Sequence, residues 1–269
     1  MIKRMFSKTI DTLLDGSRTD MRRIVIADKT QISHDTFIMR CKFDENKIVG
    51  VPLGHHLRIN FEGGTLTQGR TYAPVSDLEQ KGIVDILIKV YRPCKEFPEG
   101  GKMTQYLDGL KIGDEITISG PRGRFVYKSD GVVEFKKLEC TRQYKKISFI
   151  AGGSGIAPIY QLLVNLKETD TTEITLLFAN KSEADILLRK QLEDFAKTMP
   201  NFRFHMTIDK AASNWDYFTG YVDQNMIKQV IPKPSPDHLV WVCGPEDMNT
   251  SVGQHLIACG HSDECVVMY

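Results

Sequence analysis

The sequence predicts a β-barrel followed by an α/β domain with a doubly wound parallel sheet. Its 269 residues suggest two domains, at about 150 residues per domain. Short apolar or alternating runs fill the first half, which is typical of an antiparallel barrel or sandwich. Strand-like and helix-like runs alternate in the second half, which favours a parallel sheet covered by helices. We expect residues 1–140 to form the first domain with its linker and residues 141–269 to form the second.

The first half contains five predicted strands and one predicted helix. Turn residues such as Gly50, Gly54 and Gly82 separate these runs. The predicted helix runs from Met103 to Leu110. The charged and polar segment from Glu134 to Lys146 is predicted to be the linker. The predicted strands are Ile24–Ile26, Thr36–Phe43, His56–Phe61, Ile83–Tyr91 and Glu115–Ser119.

The second half alternates between four predicted strands and four predicted helices. Ser182 and Asp185 have the spacing of a capping box at the start of the second helix. The uncharged run Ile147–Val164 is long enough to span a bilayer, but its glycines and Pro158 favour a strand, a turn and a helix. The predicted strands are Lys146–Ala151, Glu173–Ala179, Phe202–Ile208 and His238–Val242. The predicted helices are Ile156–Leu166, Glu183–Thr198, Asn225–Val230 and Pro245–Ala258.

Charge and cysteine content exclude several classes of protein. The 35 Lys and Arg residues balance 34 Asp and Glu residues, which argues against a nucleic-acid binder. The six cysteines lack the C-x2-C spacing of zinc and iron–sulfur sites, so we expect reduced thiols and no metal site. No apolar segment of a secretory signal is visible near the N-terminus, so we expect a cytoplasmic protein without a membrane anchor.

Two glycine-containing turns follow predicted strands of the second half. One is A-G-G-S-G-I-A-P at 151–158, and the other is C-G-P-E-D-M at 243–248. Glycine permits a close approach of the backbone to a ligand, and a following helix offers free N–H groups to an anion. Ligands of doubly wound sheets lie beyond the carboxyl ends of the strands, so the two turns can flank one dinucleotide. Each turn alone is also compatible with a structural role, and Cys243 with a small buried residue.

Two segments of the first half are candidates for a phosphate and ring site. Gly100–Thr104 opens the predicted helix, and its amides and the Thr104 hydroxyl can bind phosphate. Arg70 can clamp a diphosphate, and Tyr72 can cover a planar ring. On their own, an arginine and a tyrosine on a strand are more often a half-buried structural pair.

Taken together, these segments resemble the NADH–cytochrome b5 reductase family within the ferredoxin–NADP reductase-like flavoenzymes. R-T-Y-A-P-V-S at 70–76 resembles the family's R-P-Y-T-P-[IV]-S. I-K-V-Y at 88–91 is identical to the family's I-K-V-Y, and G-G-K-M-T at 100–104 resembles its G-G-K-M-S. G-G-S-G-I-A-P resembles G-G-T-G-I-T-P, and C-G-P-E-D-M resembles C-G-P-P-P-M. Asp209 and W-D-Y at 215–217 resemble a further family segment, and the motifs span most of the chain.

The resemblance implies FAD in the barrel, NADH in the second domain, and single-electron transfer to a heme protein such as cytochrome b5. The implied catalytic residues are Tyr72, Ala73, Lys89 and Cys243. The implied flavin-binding residues are Arg70, Thr71, Tyr72, Ala73, Leu87, Lys89, Tyr91, Gly101, Lys102, Met103, Thr104 and Ala157. The implied nicotinamide dinucleotide-binding residues are Gly153, Ser154, Asp209, Cys243, Gly244, Pro245 and Met248.

The resemblance also implies roles for individual residues. Asp209 is expected to bind the adenosine ribose and to favour NADH, although Lys181 and Lys210 are close enough in sequence to admit some NADPH. Lys89 is expected at the polar edge of the flavin, and Cys243 is expected to fill space near the nicotinamide. Tyr269 is expected either to pack near the cofactors or to fray.

The sequence departs from the family at two positions, because Ala73 and Ala157 replace threonines. One net hydrogen bond is worth roughly 0.5–1.5 kcal/mol, so we expect FAD retention or hydride transfer to be weakened about tenfold. An alternative of another class is a flavin-binding redox sensor or assembly protein with reduced turnover. A reductase fragment of a nitrate-reductase-like protein is a further alternative. We expect a cytoplasmic monomer that can be peripheral to a membrane through its partner.

Overall fold

The computed structural model describes residues 11–17, 20–61, 69–95, 97–211 and 214–269. An antiparallel six-stranded sheet occupies the first half and a parallel six-stranded sheet the second, with a smaller three-stranded sheet between them. The predicted fold class is therefore confirmed.

The first sheet closes into a barrel. Its strands are β1 (Met21–Ser33), β2 (Thr36–Lys42), β3 (His56–Asn60), β4 (Arg70–Tyr72), β5 (Ile83–Lys89) and β6 (Glu115–Arg122), and helix α1 (Lys102–Gly109) lies between β5 and β6 in the chain. The spatial order is β4-β3-β6-β1-β2-β5. Pro74 pairs with Ile86, and the Val75 N–H donates to the Asp85 carbonyl at 2.8 Å, which joins the two outer strands.

Alternation along the strands produces the barrel core. In β2, Phe37, Met39 and Cys41 are buried, whereas Arg40 and Lys42 are exposed. Successive side chains of a strand point to opposite faces, so this pattern places one apolar face inside the barrel. Burial of apolar surface contributes roughly 25 cal/mol per Å², which makes this face the main source of barrel stability.

A three-stranded antiparallel sheet extends into the predicted linker, Glu134–Lys146. Its strands are β7 (Phe125–Tyr127), β8 (Val132–Phe135) and β9 (Cys140–Gln143). The linker prediction is wrong here because the charges lie on the exposed side: Glu134 binds Lys128 at 2.8 Å and Lys136 at 3.0 Å. Val133, on the other side, is buried. A charged outer face thus masked the strand pattern.

The second sheet is parallel throughout. Its strands are β10 (Lys146–Gly152), β11 (Glu173–Asn180), β12 (Phe202–Ile208), β13 (Phe218–Thr219), β14 (His238–Cys243) and β15 (Val266–Met268), in the order β13-β12-β11-β10-β14-β15. Its helices are α2 (Ala157–Asn165), α3 (Arg189–Thr198), α4 (Gln224–Val230) and α5 (Glu246–Ala258). The chain runs from β10 towards β13 and then returns to the other side of β10, so the order reverses between β10 and β14.

The helix predicted from Glu183 to Thr198 is divided. A short 3₁₀ turn spans Glu183–Asp185, and α3 begins only at Arg189. The predicted capping box is not formed, because Ser182 Oγ donates to the Asp185 carboxylate at 2.6 Å. Leu188 then takes a left-handed conformation with φ of 56°, which separates the turn from the helix.

The two domains share one buried core. Ala73, Val75 and Leu87 of the barrel belong to the same apolar cluster as Phe149 and Ile156 of the second domain. Polar contacts also cross the junction, since the Tyr127 hydroxyl donates to Asp170 at 2.7 Å. The relative placement of the domains is therefore set by buried contacts.

The uncharged run from Ile147 to Val164 forms β10, a 3₁₀ turn and most of α2, as predicted. No helix in the described ranges has both the length and the apolar character needed to cross a bilayer.

A buried histidine pair lies at the amino ends of β10 and β14. His238 is fully buried, its Nε2 lies 2.8 Å from Ser148 Oγ, and its ring centre lies 5.4 Å from that of His261. Burial, with the nearby His261, lowers the pKa of His238 to about 4. Both rings are therefore held neutral in the folded protein at neutral pH, since burial also lowers the pKa of His261.

We expect acid to destabilise the fold through His238. The unfolded histidine takes up a proton near pH 6.5, whereas the folded one does so near its lowered pKa of about 4. Stability is then present above pH 6.5 and falls between pH 6.5 and 4, by on the order of 3 kcal/mol. Urea unfolding across this range measures the loss, and His238→Asn should make the dependence shallower by about this amount, with His56, whose pKa burial also lowers to about 4, still contributing. An unchanged pH dependence in this variant would contradict the assignment.

Candidate functional site

One end of the barrel gathers the residues that the resemblance assigns to the flavin. The Pro74–Ile86 pair sets the end of β4 beside β5. The Gly101 N–H donates to the Tyr91 carbonyl at 2.7 Å, which brings the start of α1 to the end of β5. The residues brought together in this way are Arg70, Thr71, Tyr72, Ala73, Leu87, Lys89, Tyr91, Gly101, Lys102, Met103 and Thr104.

The first turn of α1 has the properties of an anion site. Within the described part of the chain, no side chain caps this end of the helix, and its first turn contains no acidic residue. A Cβ atom at Gly100 would lie 2.5 Å from the Tyr91 carbonyl oxygen, and one at Gly101 would lie 2.6 Å from Thr104 Oγ1. Only glycine therefore fits at position 100, where the obstacle is backbone, and a side chain at position 101 would displace the Thr104 hydroxyl. The free amides of the first turn fit a phosphate group.

The Thr104 hydroxyl stabilises this turn. It accepts a hydrogen bond from the Tyr91 N–H at 3.2 Å and donates to the Gly101 carbonyl at 3.0 Å. A hydroxyl has one proton to donate, and this one is used within the turn. The backbone amides, rather than the predicted Thr104 hydroxyl, are thus the donors available to a phosphate.

Lys29 of β1 holds the other end of α1. Its Nζ donates to three carbonyl oxygens, those of Leu107, Asp108 and Leu110, at 3.1, 2.7 and 2.8 Å. The same ammonium group lies 4.5 Å from the centre of the Phe37 ring. Because α1 has no basic residue in its last turn, Lys29 supplies the positive charge that stabilises this end. It fixes α1 against the barrel.

Positive charge is concentrated around Arg70. Arg70 is exposed, donates to the Gly69 carbonyl at 3.1 Å, and has no carboxylate partner among the described residues. Burial, together with the charges of Arg122 and Arg70, lowers the pKa of Arg58. Such a local excess of guanidinium groups fits an anionic diphosphate. The arginine-rich strand end and the α1 amides thus fit the phosphates of FAD.

Two tyrosines provide aromatic surface beside these groups. Burial raises the pKa of Tyr72, so its hydroxyl stays protonated. Tyr91 is 43% exposed, and its hydroxyl lies 3.1 Å from Ser154 Oγ of the second domain. This hydrogen bond links the proposed flavin site of the barrel to the glycine-containing turn at 151–158, which we call the glycine-rich turn.

Lys89 is held by a carboxylate. Its Nζ donates to Asp35 Oδ2 at 2.6 Å. Burial of Asp35 disfavours its charged form, but hydrogen bonds from Lys89, Thr36 and Ser33 outweigh this and lower its pKa. Asp35 accepts one of the three ammonium protons of Lys89, and the expected contact of Lys89 with the polar edge of the flavin stays a prediction.

The two glycine-containing turns of the second domain contact each other. They follow β10 and β14, between which the strand order reverses, the usual ligand position in such sheets. A Cβ atom at Gly152 would overlap Met248 Sδ, and one at Gly155 would overlap the Cys243 carbonyl. Gly153 has φ of +52°, and no described atom lies within 4 Å of its Cβ position. The turns are therefore packed at their base and open at Gly153, as a dinucleotide requires.

Cys243 and Tyr269 lie at the base of this site. Burial raises the pKa of the Cys243 thiol to about 12, so it is not a thiolate nucleophile. Tyr269 is not frayed: its N–H donates to the Val242 carbonyl at 2.9 Å and its hydroxyl to the Gly54 carbonyl at 3.2 Å. Its ring packs edge-on against Phe125 with centres 5.6 Å apart.

Asp209 lies farther along the same sheet edge. It follows β12, and its N–H donates to the Asn180 carbonyl at 3.1 Å. β11 separates β12 from β10, so two strand spacings of about 4.8 Å place Asp209 roughly 10 Å from Gly152. That separation suits the far half of an extended dinucleotide. Lys181 and Lys210 are both exposed nearby in sequence.

The two alanines that replace family threonines lie at the domain junction. Ala73 is 7% exposed and Ala157 is 8% exposed, and both belong to the apolar cluster shared by the domains. The two threonine hydroxyls are therefore missing from the domain junction, where the resemblance places the flavin.

Sequence reasoning missed four residues that support the site. Asp35 and Lys29 act through contacts between distant segments, which no local pattern reveals. Gln161 and Asn165 could have been found from the sequence. They are two amide residues spaced i and i+4 at the end of an uncharged apolar run, so they share one face of the predicted helix. Gln161 is fully buried.

Comparisons with known proteins agree with this geometry. A family model described as an oxidoreductase FAD-binding domain matches residues 23–127, and one described as an oxidoreductase NAD-binding domain matches residues 149–254. NADH-cytochrome b5 reductase 2 of Gallus gallus is 42% identical over 83% of this chain and 77% of its own length. The Homo sapiens protein of that name is 35% identical over 91% of this chain and 92% of its own.

A solved structure is also similar along almost the whole chain. The cytochrome b5 reductase domain of Ulva prolifera nitrate reductase has a TM-score of 0.87 and 31% sequence identity. The match covers 95% of this chain and 100% of that one.

Proposed function

Because the chain belongs to the NADH–cytochrome b5 reductase family, we propose that it takes a hydride from NADH and passes single electrons to cytochrome b5 or a similar heme protein. The observation that carries this proposal is the junction of the two sites. The Tyr91 hydroxyl at the flavin end of the barrel lies 3.1 Å from Ser154 Oγ in the glycine-rich turn. A nucleotide bound at that turn would therefore lie next to the proposed flavin site.

The chain supplies binding and orientation for this chemistry. When bound, FAD accepts the hydride of NADH and releases its electrons one at a time. The α1 amides and Arg70 would hold the diphosphate of FAD, and Tyr72 would pack against its ring. Asp35 orients Lys89, which would lie at the edge of this ring, and the open space at Gly153 would admit the second dinucleotide.

Apolar side chains exclude water from the junction. Ala73, Leu87 and Ala157 are all buried there. A site without water strengthens the electrostatic interactions inside it and limits the loss of electrons to solvent species. Cys243 belongs to this lining as a neutral thiol beside the proposed nicotinamide position.

The acceptor is proposed to be an acidic heme protein. Exposed lysines and arginines would steer such a partner, and added salt would slow the reaction because it screens them. We propose a monomer in the cytoplasm that reaches a membrane through this partner. A redox sensor or assembly protein with reduced turnover remains the second candidate, because Ala73 and Ala157 remove two hydroxyls from the site.

Acceptor assays with the FAD-loaded protein distinguish these functions. An electron-transfer enzyme bleaches the flavin on addition of NADH and reduces ferricyanide and cytochrome b5 over many turnovers. A sensor binds flavin but sustains little turnover with any acceptor. Protein that binds no flavin even with added FAD would contradict both proposals.

Asp209 is expected to select NADH. Its carboxylate can bind the two ribose hydroxyls and repels a 2′-phosphate. Asp209→Ala should therefore lower kcat/KM for NADH and raise kcat/KM for NADPH. The ratio of the NADH value to the NADPH value should fall about tenfold or more. Steady-state kinetics with both nucleotides measure this ratio. A wild-type preference for NADPH would contradict the role, and Asp216→Ala, on a neighbouring exposed acid, is the matched control.

A further inference from the structure

Helix α2 carries two amide side chains that bind the barrel backbone. Gln161 and Asn165 are one helical turn apart and lie on the same face of the helix. The amino end of this helix is the glycine-rich turn of the proposed nucleotide site. The helix therefore connects that turn to two points on the other domain.

Gln161 makes the first connection. Its Oε1 accepts a hydrogen bond from the Gly54 N–H at 3.0 Å, and its Nε2 donates to the His55 carbonyl at 3.1 Å. The side chain is fully buried. One amide thus satisfies a donor and an acceptor of the same barrel loop, as a neighbouring peptide group would.

Asn165 makes the second connection in the same way. Its Oδ1 accepts from the Leu78 N–H at 2.8 Å, and its Nδ2 donates to the Ser76 carbonyl at 3.3 Å and to the Gln161 carbonyl at 2.8 Å. Ser76 is the last residue of the R-T-Y-A-P-V-S segment at 70–76, which we call the flavin motif.

The bound segment is itself fixed to the barrel. The Ser76 hydroxyl accepts a hydrogen bond from the Asp85 N–H at 3.0 Å, and Asp85 pairs with Arg40 at 2.8 Å. Asn165 thus holds a rigid part of the flavin motif, not a free loop.

We propose that Asn165 is a positioning residue for hydride transfer: with Gln161 it fixes α2, and so the glycine-rich turn, at one angle to the flavin motif. Asn165 lies eight residues beyond Ala157, about 12 Å along the helix, so it acts at a distance from the reacting rings. A small rotation about its contacts moves the turn at the other end of α2. This inference rests on the proposed function.

The size of the effect follows from the geometry that hydride transfer needs. The reacting atoms must approach to about 3–3.5 Å, and a misplacement of 1 Å costs on the order of a hundredfold in rate. Loss of the Asn165 contacts leaves those of Gln161, so we expect a partial misplacement and a rate about tenfold lower. FAD affinity should stay within about twofold, because the diphosphate site lies on the barrel alone.

The experiment compares Asn165→Ala with Asn201→Ala. Asn201 is also partly buried, and its Nδ2 donates to the Asp170 and Thr172 carbonyls at 3.0 and 2.8 Å, within the second domain. Each variant loses two or three side-chain hydrogen bonds to the backbone. The rate of flavin bleaching at saturating NADH, the FAD affinity and the melting temperature are measured for both, and Asn165→Gln tests rescue.

Hydrogen exchange at the Gly54 amide provides a readout that needs neither cofactor. Gly54 contacts Gln161 and not Asn165, so faster exchange there in Asn165→Ala reports loosening of the whole junction. We expect faster exchange and about tenfold slower bleaching in Asn165→Ala only, with both variants similarly less stable. Equal bleaching rates and unchanged Gly54 exchange would overturn the proposal. A wild-type protein that NADH does not bleach would overturn the proposed function, while the exchange result would still decide whether Asn165 fixes the domains.

Discussion

Gly155→Ala is expected to lower kcat/KM for NADH at least a hundredfold while the protein keeps its FAD. A Cβ atom at this position would overlap the Cys243 carbonyl and would lie 3.1 Å from the Gly244 N atom. Both obstacles are backbone atoms, so the two glycine-containing turns must separate to admit the methyl group. A displacement of 1 Å in the bound nucleotide costs on the order of a hundredfold. Steady-state reduction of ferricyanide by NADH measures the loss.

Gly109→Ala is the control for this substitution. No described atom lies within 4 Å of the Cβ position of Gly109, which occupies the last turn of α1. Alanine favours a helix over glycine, so this variant should retain its activity and be at least as stable. Normal kcat/KM in Gly155→Ala would show that the contact between the turns is not needed for NADH use.

Arg70→Met should weaken FAD binding by one to two orders of magnitude. A hydrogen bond to a charged group is worth about 1.5–3 kcal/mol, and each 1.4 kcal/mol is tenfold in affinity. Arg70 has no carboxylate partner among the described residues, so its charge is available to the diphosphate. Fluorescence titration of the apoprotein with FAD measures the change, and kcat of the fully loaded variant should change much less.

Two further variants test whether the effect comes from the guanidinium group of Arg70. Arg70→Lys keeps the charge but loses the planar fork, so it should lie between the wild type and Arg70→Met. Arg23→Met removes an exposed arginine that pairs with Glu115 at 3.4 Å, and it should leave FAD affinity unchanged because exposed ion pairs contribute little. Equal affinities of Arg70→Met and Arg23→Met would remove Arg70 from the diphosphate site.

The strands and turns that depend on local pattern were predictable from the sequence. Phe202–Ile208 forms β12 with the predicted bounds, because apolar and polar residues alternate strictly along this segment, which is the pattern of a strand. The two glycine-containing turns were also predictable, since glycine is required where a Cβ atom would meet backbone. Gly155 illustrates this requirement, because a Cβ atom there would overlap the Cys243 carbonyl.

The features that depend on distant contacts were not predictable. Residues 134–135 of β8 and all of β9 were assigned to a linker because the segment is rich in charged and polar residues. Only packing against the second domain reveals the buried side of β8, at Val133. Ser182 has a capping spacing, but its hydroxyl binds the Asp185 side chain. Lys89 donates to the Asp35 carboxylate, 54 positions away in sequence, a contact that no local pattern reveals, while its contact with the flavin stays a prediction. Such pairings are decided by tertiary structure.

The contact between nicotinamide and flavin across the domain junction is tested most directly with NADH deuterated separately at each face of its C4 carbon. If the proposed site is right, we expect the two turns and the buried junction to present only one face of the nicotinamide to the flavin. Anaerobic bleaching of the FAD-loaded protein should therefore show a primary isotope effect with one deuterated form and none with the other. Bound flavin that neither form bleaches, or equal isotope effects from both, would contradict this arrangement.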